Sequence, residues 1–304
     1  MNIDNIKNIL IIGAGTMGHQ IAFQCAAHGY DVIIYDNYPQ ALKKSKERIK
    51  SLGKELVKKN IVNTETAHKA LDRITFEDDP EKAGKNADII SESIPEDPKL
   101  KGEIFARFNS ICPNHTIFTT NTSSLIPSMY ADATGRPERF LAFHFHDIAL
   151  TSIVDIMPHA GTSPEITKIV IDFAKKIKQI PIVLKKEHSG YLFNNMLMAY
   201  LDSALSLASS SVASIEDIDR AWMGIMHTET GPFGLIDSVG LDTCWKITSF
   251  WAEKRRDTRA LKNADFIKSY IDAGKLGKKS GQGFYNYPNP AFALPDFLKE
   301  LSDK

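Results

Sequence analysis

Residues 8–36 read NILIIGAGTMGHQIAFQCAAHGYDVIIYD. Residues 9–12 (ILII) form a short, continuous apolar run, which is typical of a strand in a parallel sheet covered on both faces. Glycines end this run, a stretch with helical periodicity follows to His28, and a second apolar run at 30–35 ends at Asp36. This order predicts a β-α-β unit, the building block of a doubly wound α/β domain.

The glycines of this unit form the pattern GxGxxG between the first strand and the helix. In that position Gly13 permits a tight turn, Gly15 lets the backbone approach a pyrophosphate, and Gly18 allows close helix–strand packing. Asp36 can accept hydrogen bonds from ribose hydroxyls, and Asn37 offers no positive charge for the extra phosphate of NADP. The pattern therefore predicts an NAD site that includes Gly13, Gly15, Thr16, Met17, Gly18 and Asp36. The alternative is a glycine turn that binds nothing.

The remaining sequence divides into two parts. Further apolar runs alternate with helical stretches at residues 87–90, 116–119, 140–145 and 180–184. The alternation stops near Lys185, and only helical periodicity is found beyond it, at residues 191–208, 215–223, 242–255 and 264–271. The sequence predicts a Rossmann-type, doubly wound, mostly parallel α/β domain at residues 1–186 and an all-helical C-terminal domain at 187–304.

Composition excludes several classes of partner. The 304 residues carry 37 Lys and Arg against 37 Asp and Glu, so no net field favours nucleic acid or an anionic membrane. No apolar run approaches the ~18 residues that a membrane span needs. Three cysteines, Cys25, Cys112 and Cys244, are odd in number and far apart, which favours reduced thiols and a cytoplasmic location.

Polar clusters follow two of the predicted strands, at residues 121–124 (NTSS) and 144–147 (HFHD). Ligands of open α/β sheets bind beyond the carboxyl ends of the strands, so both clusters are candidates for chemistry. A histidine can take a hydroxyl proton while hydride leaves the adjacent carbon, provided that a carboxylate fixes its tautomer. We predict that His144 is this histidine. Asp155, in an apolar stretch where an unpaired acid is costly to bury, is its predicted partner.

Other interpretations of these residues stay open. His144 could be an ordinary core or surface histidine, and Asp147 could cap a turn. The pattern His144-x-His146 also raises the question of a metal site. The sequence offers no third ligand at a diagnostic spacing, so we predict no metal.

Six segments resemble the 3-hydroxyacyl-CoA dehydrogenase family. They are GAGTMGHQIA at 13–22, SESIPED at 91–97, NTSSL at 121–125, HF at 144–145, GPFGLIDSVGLD at 231–242 and GKLGKKSGQGFYNY at 274–287. Together they extend from the first strand to Tyr287. The resemblance implies NAD-dependent oxidation of a 3-hydroxyacyl thioester to the 3-oxo compound, or the reverse reaction, on a small-molecule substrate.

The resemblance assigns catalytic roles to three residues. The family's histidine falls on His144, as general base for oxidation and general acid for reduction. Its serine falls on Ser123 and its asparagine on Asn194, and both would hydrogen-bond the substrate oxygen as its charge changes. Without the family resemblance, the alternative interpretation is that Ser123 stabilises a turn and Asn194 lies at the start of a helix.

The resemblance also extends the cofactor site. Glu96 and Lys101 match positions on the nicotinamide side, and Asn121 completes the cofactor-binding set. The alternative for Glu96 and Lys101 is a solvated surface pair.

Two segments depart from the family pattern. The family's HFFNPVPxMKLVEV is HFHDIALTSIVDIM here, without the prolines, and Asp155 matches the family's glutamate only after a one-residue deletion. The family's GFxxNR is GYLFNN at 190–195. These changes look closer to the diketoreductase and gulonate dehydrogenase branches, which act on free short acids. The alternatives are therefore the same chemistry on a free 3-hydroxy or 3-oxo acid or ester, or a noncatalytic NAD-binding structural protein.

Two surfaces bear on partners. A lysine stripe on the helix after Asp36 could receive CoA phosphates or be a solvated face, and it comprises Lys43, Lys46, Lys50, Lys54 and Lys58. The helical domain is expected to supply a wall of the substrate cleft and, as is usual in this family, a homodimer interface.

Overall fold

A computed structural model describes residues 2–299 of the chain. Two compact units divide after Leu192, slightly beyond the boundary predicted at residue 186. The first unit is a sheet covered by helices and the second is helical. The predicted α/β class with a helical C-terminal part is therefore confirmed.

One sheet of eight strands runs through the first unit, in the order β3-β2-β1-β4-β5-β6-β7-β8. Its strands are β1 Asn8–Ile12, β2 Asp31–Tyr35, β3 Ile74–Glu77, β4 Ile89–Glu92, β5 Ile117–Thr120, β6 Phe140–Phe145, β7 Ile153–Pro158 and β8 Ile180–Val183. All neighbours pair in parallel except β6 and β7, which are antiparallel. The sequence identified neither β3 nor β7 as a strand, because polar residues interrupt their apolar pattern.

Helices cover both faces of this sheet. They are α1 Thr16–Ala27, α2 Pro39–Lys58, α3 Thr64–Asp72, α4 Pro80–Gly84, α5 Pro98–Ile111 and α6 Pro164–Lys176. Helix α2 buries an apolar stripe that includes Ile49 and Leu56, and it leaves the predicted lysine stripe exposed. Separate apolar clusters fill the two faces, one around Phe23 and Phe173 and the other around Phe105.

The second unit consists of α7 Phe193–Ser209, α8 Ile215–Met226, α9 Pro232–Val239, α10 Leu241–Arg255 and α11 Thr258–Asp272, followed by an irregular segment. The sequence missed α9, which opens with Gly231 and Pro232. Buried Asp237 in α9 accepts hydrogen bonds from the backbone N–H groups of Phe284 and Tyr285 at 2.8 and 2.9 Å. This carboxylate fixes the C-terminal GQGFY segment to the helices.

The second glycine of the GQGFY segment, Gly283, is required because the same carboxylate lies against it. A Cβ on Gly283 would lie 2.0 Å from an oxygen of Asp237. This segment, which resembles the dehydrogenase family, therefore has a packing role here. Among the residues that the structure describes, no helix has the length and apolarity to cross a membrane.

Candidate active site

The carboxyl ends of β1, β4, β5 and β6 meet at one edge of the sheet, because these strands are parallel neighbours. The glycine motif follows β1, Glu96 lies in the segment after β4, Asn121 and Ser123 follow β5, and His144 is the last residue but one of β6. The fold thus brings the predicted residues of the first unit to one edge, as expected for a doubly wound sheet.

The glycine turn has the geometry that its sequence predicts. Gly13 has φ +106°, and a Cβ there would lie 2.7 Å from the carbonyl oxygen of Ser93. A Cβ on Gly18 would lie 1.9 Å from the Gly13 carbonyl oxygen, which explains the close helix–strand packing. A Cβ on Gly15 would meet nothing within 4 Å, so the backbone is open at the point where the sequence predicts a pyrophosphate.

Asp36 is tied to this turn at the end of β2. Its Oδ2 accepts the N–H of Ala14 at 2.9 Å, and its Oδ1 accepts the N–H of Tyr38 at 2.9 Å. Each carboxylate oxygen has a second lone pair, so both can still accept ribose hydroxyls. The residues of the motif fit the adenosine and pyrophosphate parts of a dinucleotide.

Lys101 lies inside the protein, at 1% exposure of its side chain. Its ammonium contacts Glu92 at 2.6 Å and Glu96 at 3.4 Å. Burial raises the pKa of Glu92, while the charge and hydrogen bond of Lys101 act against this rise. The interpretation of Lys101 as part of a solvated pair is therefore wrong. Its place beside the nicotinamide stays a prediction.

Glu96 organises the loop after β5. Its Oε1 accepts the hydroxyl of Thr122, the N–H of Ser123 at 3.2 Å, and both the N–H and hydroxyl of Ser124. Burial would raise the pKa of Glu96, but the hydrogen bond from Thr122 and the charge of Lys101 outweigh it and lower the pKa. An ionised Glu96 therefore fixes the backbone that carries exposed Ser123.

Asn121 links neighbouring loops. Its side-chain oxygen accepts the N–H of Phe145 at 2.7 Å, and its own N–H donates to the carbonyl of Glu92 at 2.8 Å. Helix α1 also reaches the loop after β6, since Gln20 accepts the N–H of Ile148 at 3.0 Å. The backbone that follows His144 is therefore fixed by the loop after β5 and by α1.

His144 and Asp155 stand directly opposite each other in the antiparallel pair β6–β7. The Nδ1 of His144 lies 3.1 Å from Oδ2 of Asp155, and both side chains are buried. The Nε2 of His146 lies 3.1 Å from the same oxygen. The sequence predicted the first of these contacts but treated His146 only as a possible metal ligand.

Asp155 is ionised at neutral pH. Burial by itself would raise its pKa, but the hydrogen bonds from His144 and His146 outweigh burial and lower the pKa to about 2. An ionised carboxylate only accepts hydrogen bonds, so the Nδ1 of His144 and the Nε2 of His146 must both carry a proton. In its neutral form His144 therefore keeps a lone pair on Nε2, the state required of a base.

The same three side chains resemble the ligand set of a metal site. One ligand atom each from His144, His146 and Asp155 lie within 4.8 Å of one another. The fold thus supplies the third ligand that spacing along the sequence lacked, because Asp155 comes from the neighbouring strand. The argument that a third ligand is lacking is therefore wrong. The absence of a metal stays a prediction.

Tyr191 and Asn194 lie in the segment that joins the two units and at the start of α7. The buried ring of Tyr191 lies 5.0 Å from that of His144, centroid to centroid, and its φ is +55°. No sequence pattern pointed to it. Asn194 is the second residue of α7, in the second unit, and its predicted contact with the substrate stays a prediction.

Family models match nearly the whole chain. The 3-hydroxyacyl-CoA dehydrogenase NAD-binding domain matches residues 8–188, and the C-terminal domain of the same family matches 190–287. The rat mitochondrial hydroxyacyl-coenzyme A dehydrogenase is 34% identical, over 93% of this chain and 91% of the relative. A probable 3-hydroxybutyryl-CoA dehydrogenase of Bacillus subtilis is also 34% identical, over 93% of this chain and 98% of the relative.

Solved structures agree with these matches. A diketoreductase described as catalysing reactions of dicarbonyl compounds has a TM-score of 0.87 and 38% identity, over 93% of this chain and 99% of its own. The (S)-3-hydroxybutyryl-CoA dehydrogenase of Ralstonia eutropha has a TM-score of 0.82 and 28% identity, over 94% of this chain and 100% of its own. With its NAD-binding domain and helical C-terminal domain both matched, the chain belongs to the 3-hydroxyacyl-CoA dehydrogenase family.

Proposed function

We propose that this protein interconverts a 3-hydroxyacyl-CoA and the corresponding 3-oxoacyl-CoA, with NAD as its cofactor. One observation carries the proposal: a histidine paired with an ionised carboxylate lies at the same sheet edge as a dinucleotide-binding turn. In oxidation, the substrate must lose a proton from its hydroxyl oxygen and a hydride from the carbon that carries this oxygen. His144, at this edge, is the proposed base that accepts the proton.

The residues of the first unit supply the acid–base part of the reaction. In oxidation, Nε2 of His144 accepts the hydroxyl proton, and Asp155 stabilises the resulting imidazolium through Nδ1. In reduction the same nitrogen returns the proton to the carbonyl oxygen. Ser123 and Asn194 are proposed to hydrogen-bond that oxygen, where charge develops. When bound, NAD supplies the hydride acceptor.

The cofactor is proposed to lie along the glycine turn. The N–H groups at the start of α1 would face the pyrophosphate, with Thr16 and Met17 in its first turn and Asp36 on the ribose. Asn121, Glu96 and Lys101 would act on the nicotinamide side. Glu96 accepts hydrogen bonds from the loop at 121–124, and Lys101 contacts Glu96 in turn, which supports a positioning role for both.

A second candidate substrate class is the free short 3-oxo or diketo acid or ester. It is favoured by the diketoreductase, which has a higher TM-score and identity than the (S)-3-hydroxybutyryl-CoA dehydrogenase of Ralstonia eutropha. The departure of residues 144–157 from the family pattern points the same way.

Steady-state NADH oxidation with acetoacetyl-CoA, acetoacetate and a 3,5-diketo ester separates these candidates. The proposal expects the highest kcat/KM with acetoacetyl-CoA. A higher value for either free compound would replace it with the second candidate. Turnover of none of the three would favour the noncatalytic NAD-binding protein.

We further propose a cytoplasmic homodimer. The three buried cysteines are free thiols, in keeping with a reducing compartment. The second unit exposes large apolar side chains, including Met196, Val212, Ile225 and Phe250. Light scattering should give twice the mass of the chain, and Ile225→Glu should halve that mass. Leu150→Glu, at an equally exposed site of the first unit, should leave the dimer intact.

A further inference from the structure

A single carboxylate oxygen of Asp155 contacts ring nitrogens of two histidines. The distances from Oδ2 to Nδ1 of His144 and to Nε2 of His146 are both 3.1 Å. The two imidazole rings lie 4.5 Å apart, centroid to centroid, at 68° to each other. Since the carboxylate is ionised, both contacts are N–H···O hydrogen bonds in which it accepts.

The backbone explains why both histidines reach this oxygen. Residues two apart along a strand direction share a face, so His144 at the end of β6 and His146 just beyond it lie side by side. Asp155 lies opposite His144 in the register of β7. The family pattern has phenylalanine at the position of His146, which cannot donate such a hydrogen bond, and a longer glutamate in place of Asp155.

We infer that His146 is a positioning residue that holds Asp155 against His144 and so fixes the tautomer of the catalytic base. The inference rests on the proposed function. An aspartate has one methylene fewer than a glutamate, so its carboxylate is placed by the strand backbone and needs an exact orientation to reach Nδ1. The second hydrogen bond restrains rotation of that carboxylate about its Cβ–Cγ bond.

Two substitutions separate positioning from packing. His146→Phe keeps an aromatic ring and removes the donor, whereas His146→Gln keeps an N–H donor at a position similar to Nε2. We expect His146→Phe to lower kcat by about 10-fold, the lower end of the effect of removing residues that orient the histidines of metal sites, with KM and NADH affinity nearly unchanged. His146→Gln should restore most of kcat. His115→Phe is the matched control, because it removes the 3.0 Å contact between Nε2 of a histidine and Asp88 far from this edge.

A spectroscopic readout makes the test independent of turnover. In protein labelled with ¹⁵N-histidine, the ring nitrogens of His144 should show one tautomer, protonated at Nδ1, in the unmodified protein and in His146→Gln. His146→Phe should show a mixture. If the protein turned over no substrate, the proposed function would fail, while this spectrum would still decide the role of His146.

Three results would overturn the inference. The first is a His146→Phe enzyme with unchanged kcat and an unchanged His144 spectrum. The second is an equal loss in His146→Phe and His146→Gln, which would indicate packing. The third is stoichiometric zinc in the purified protein that is lost on either substitution, which would make His146 and Asp155 metal ligands.

Discussion

The Nδ1 of His144 contacts Asp155, so Nε2 is the nitrogen that would exchange a proton with the substrate in the proposed reaction. His144→Gln should lower kcat by on the order of 100-fold or more, because a positioned acid–base group contributes that much. NADH affinity should stay within about twofold, since no contact of His144 reaches the glycine turn. Steady-state kinetics and a fluorescence titration of NADH check both parts. Full turnover by this variant would exclude His144 as the base.

Asp36 has a structural role in the glycine turn and a proposed role in binding the ribose, and one substitution tests both. It accepts N–H groups of Ala14 and Tyr38, and it is proposed to bind the ribose hydroxyls. Asp36→Ala should weaken NADH binding severalfold, because it removes hydrogen bonds to the ligand and loosens the turn that receives the pyrophosphate. The control is Asp31→Ala, at the other end of β2, which removes an exposed ion pair with Arg73. Equal NADH affinity in the two variants would contradict the assignment.

At the residue scale, the sequence predicted the partner of His144 but not that of His146. A buried acid in an apolar stretch needs a partner, and this requirement singled out Asp155. Which other side chain reaches the same oxygen depends on the register and direction of β7, and neither is encoded in spacing along the chain. Tyr191 was missed for the same reason, since it follows a strand that is distant in sequence from β6.

At the scale of elements, β7 decides the geometry of the site. It is the strand that runs antiparallel to β6, and this direction puts Asp155 opposite His144. The α/β pattern of the sequence predicted the parallel core around β1 because continuous apolar runs mark strands buried on both faces. It did not predict β7, where a buried carboxylate breaks the apolar run. Asp155 interrupts the apolar pattern of β7, and the same residue is the partner of His144 in the candidate site.

Helix α5 provides a second test at this scale, because it buries the Lys101 ammonium between Glu92 and Glu96. Lys101→Met would leave the carboxylate of Glu92 buried without its cation. We expect the free energy of unfolding to fall by about 3–5 kcal/mol, the usual effect of removing one partner of a buried ion pair. Urea denaturation measures this change. Adding Glu92→Gln to the same variant should recover part of it.

The matched control for this test lies on the same helix. Lys99 is 87% exposed and contacts Glu103 at 4.0 Å, so Lys99→Met should change stability by less than about 1 kcal/mol. Equal effects of the two substitutions would mean that the Lys101–Glu92 pair contributes no more than a surface pair.

On the scale of the whole molecule, a net charge of zero conceals an uneven distribution. The exposed lysine stripe of α2 lies on the helix that begins three residues after Asp36, the proposed ribose ligand. A substrate carrying CoA brings several phosphate charges, whereas acetoacetate brings one carboxylate. The two substrate classes should therefore respond differently to the charge of this helix, even though the acid–base residues serve both.

Reversing two charges of the stripe tests this difference. Lys50→Glu combined with Lys54→Glu should raise KM for acetoacetyl-CoA by roughly 10-fold at low salt, since each exposed charge contact contributes up to about 1 kcal/mol. KM for acetoacetate should not change. Lys82→Glu with Lys85→Glu alters the net charge equally at α4 and should affect neither substrate. If all KM values matched those of the unmodified protein, the stripe would be a solvated face, and recognition of CoA would have to come from other residues.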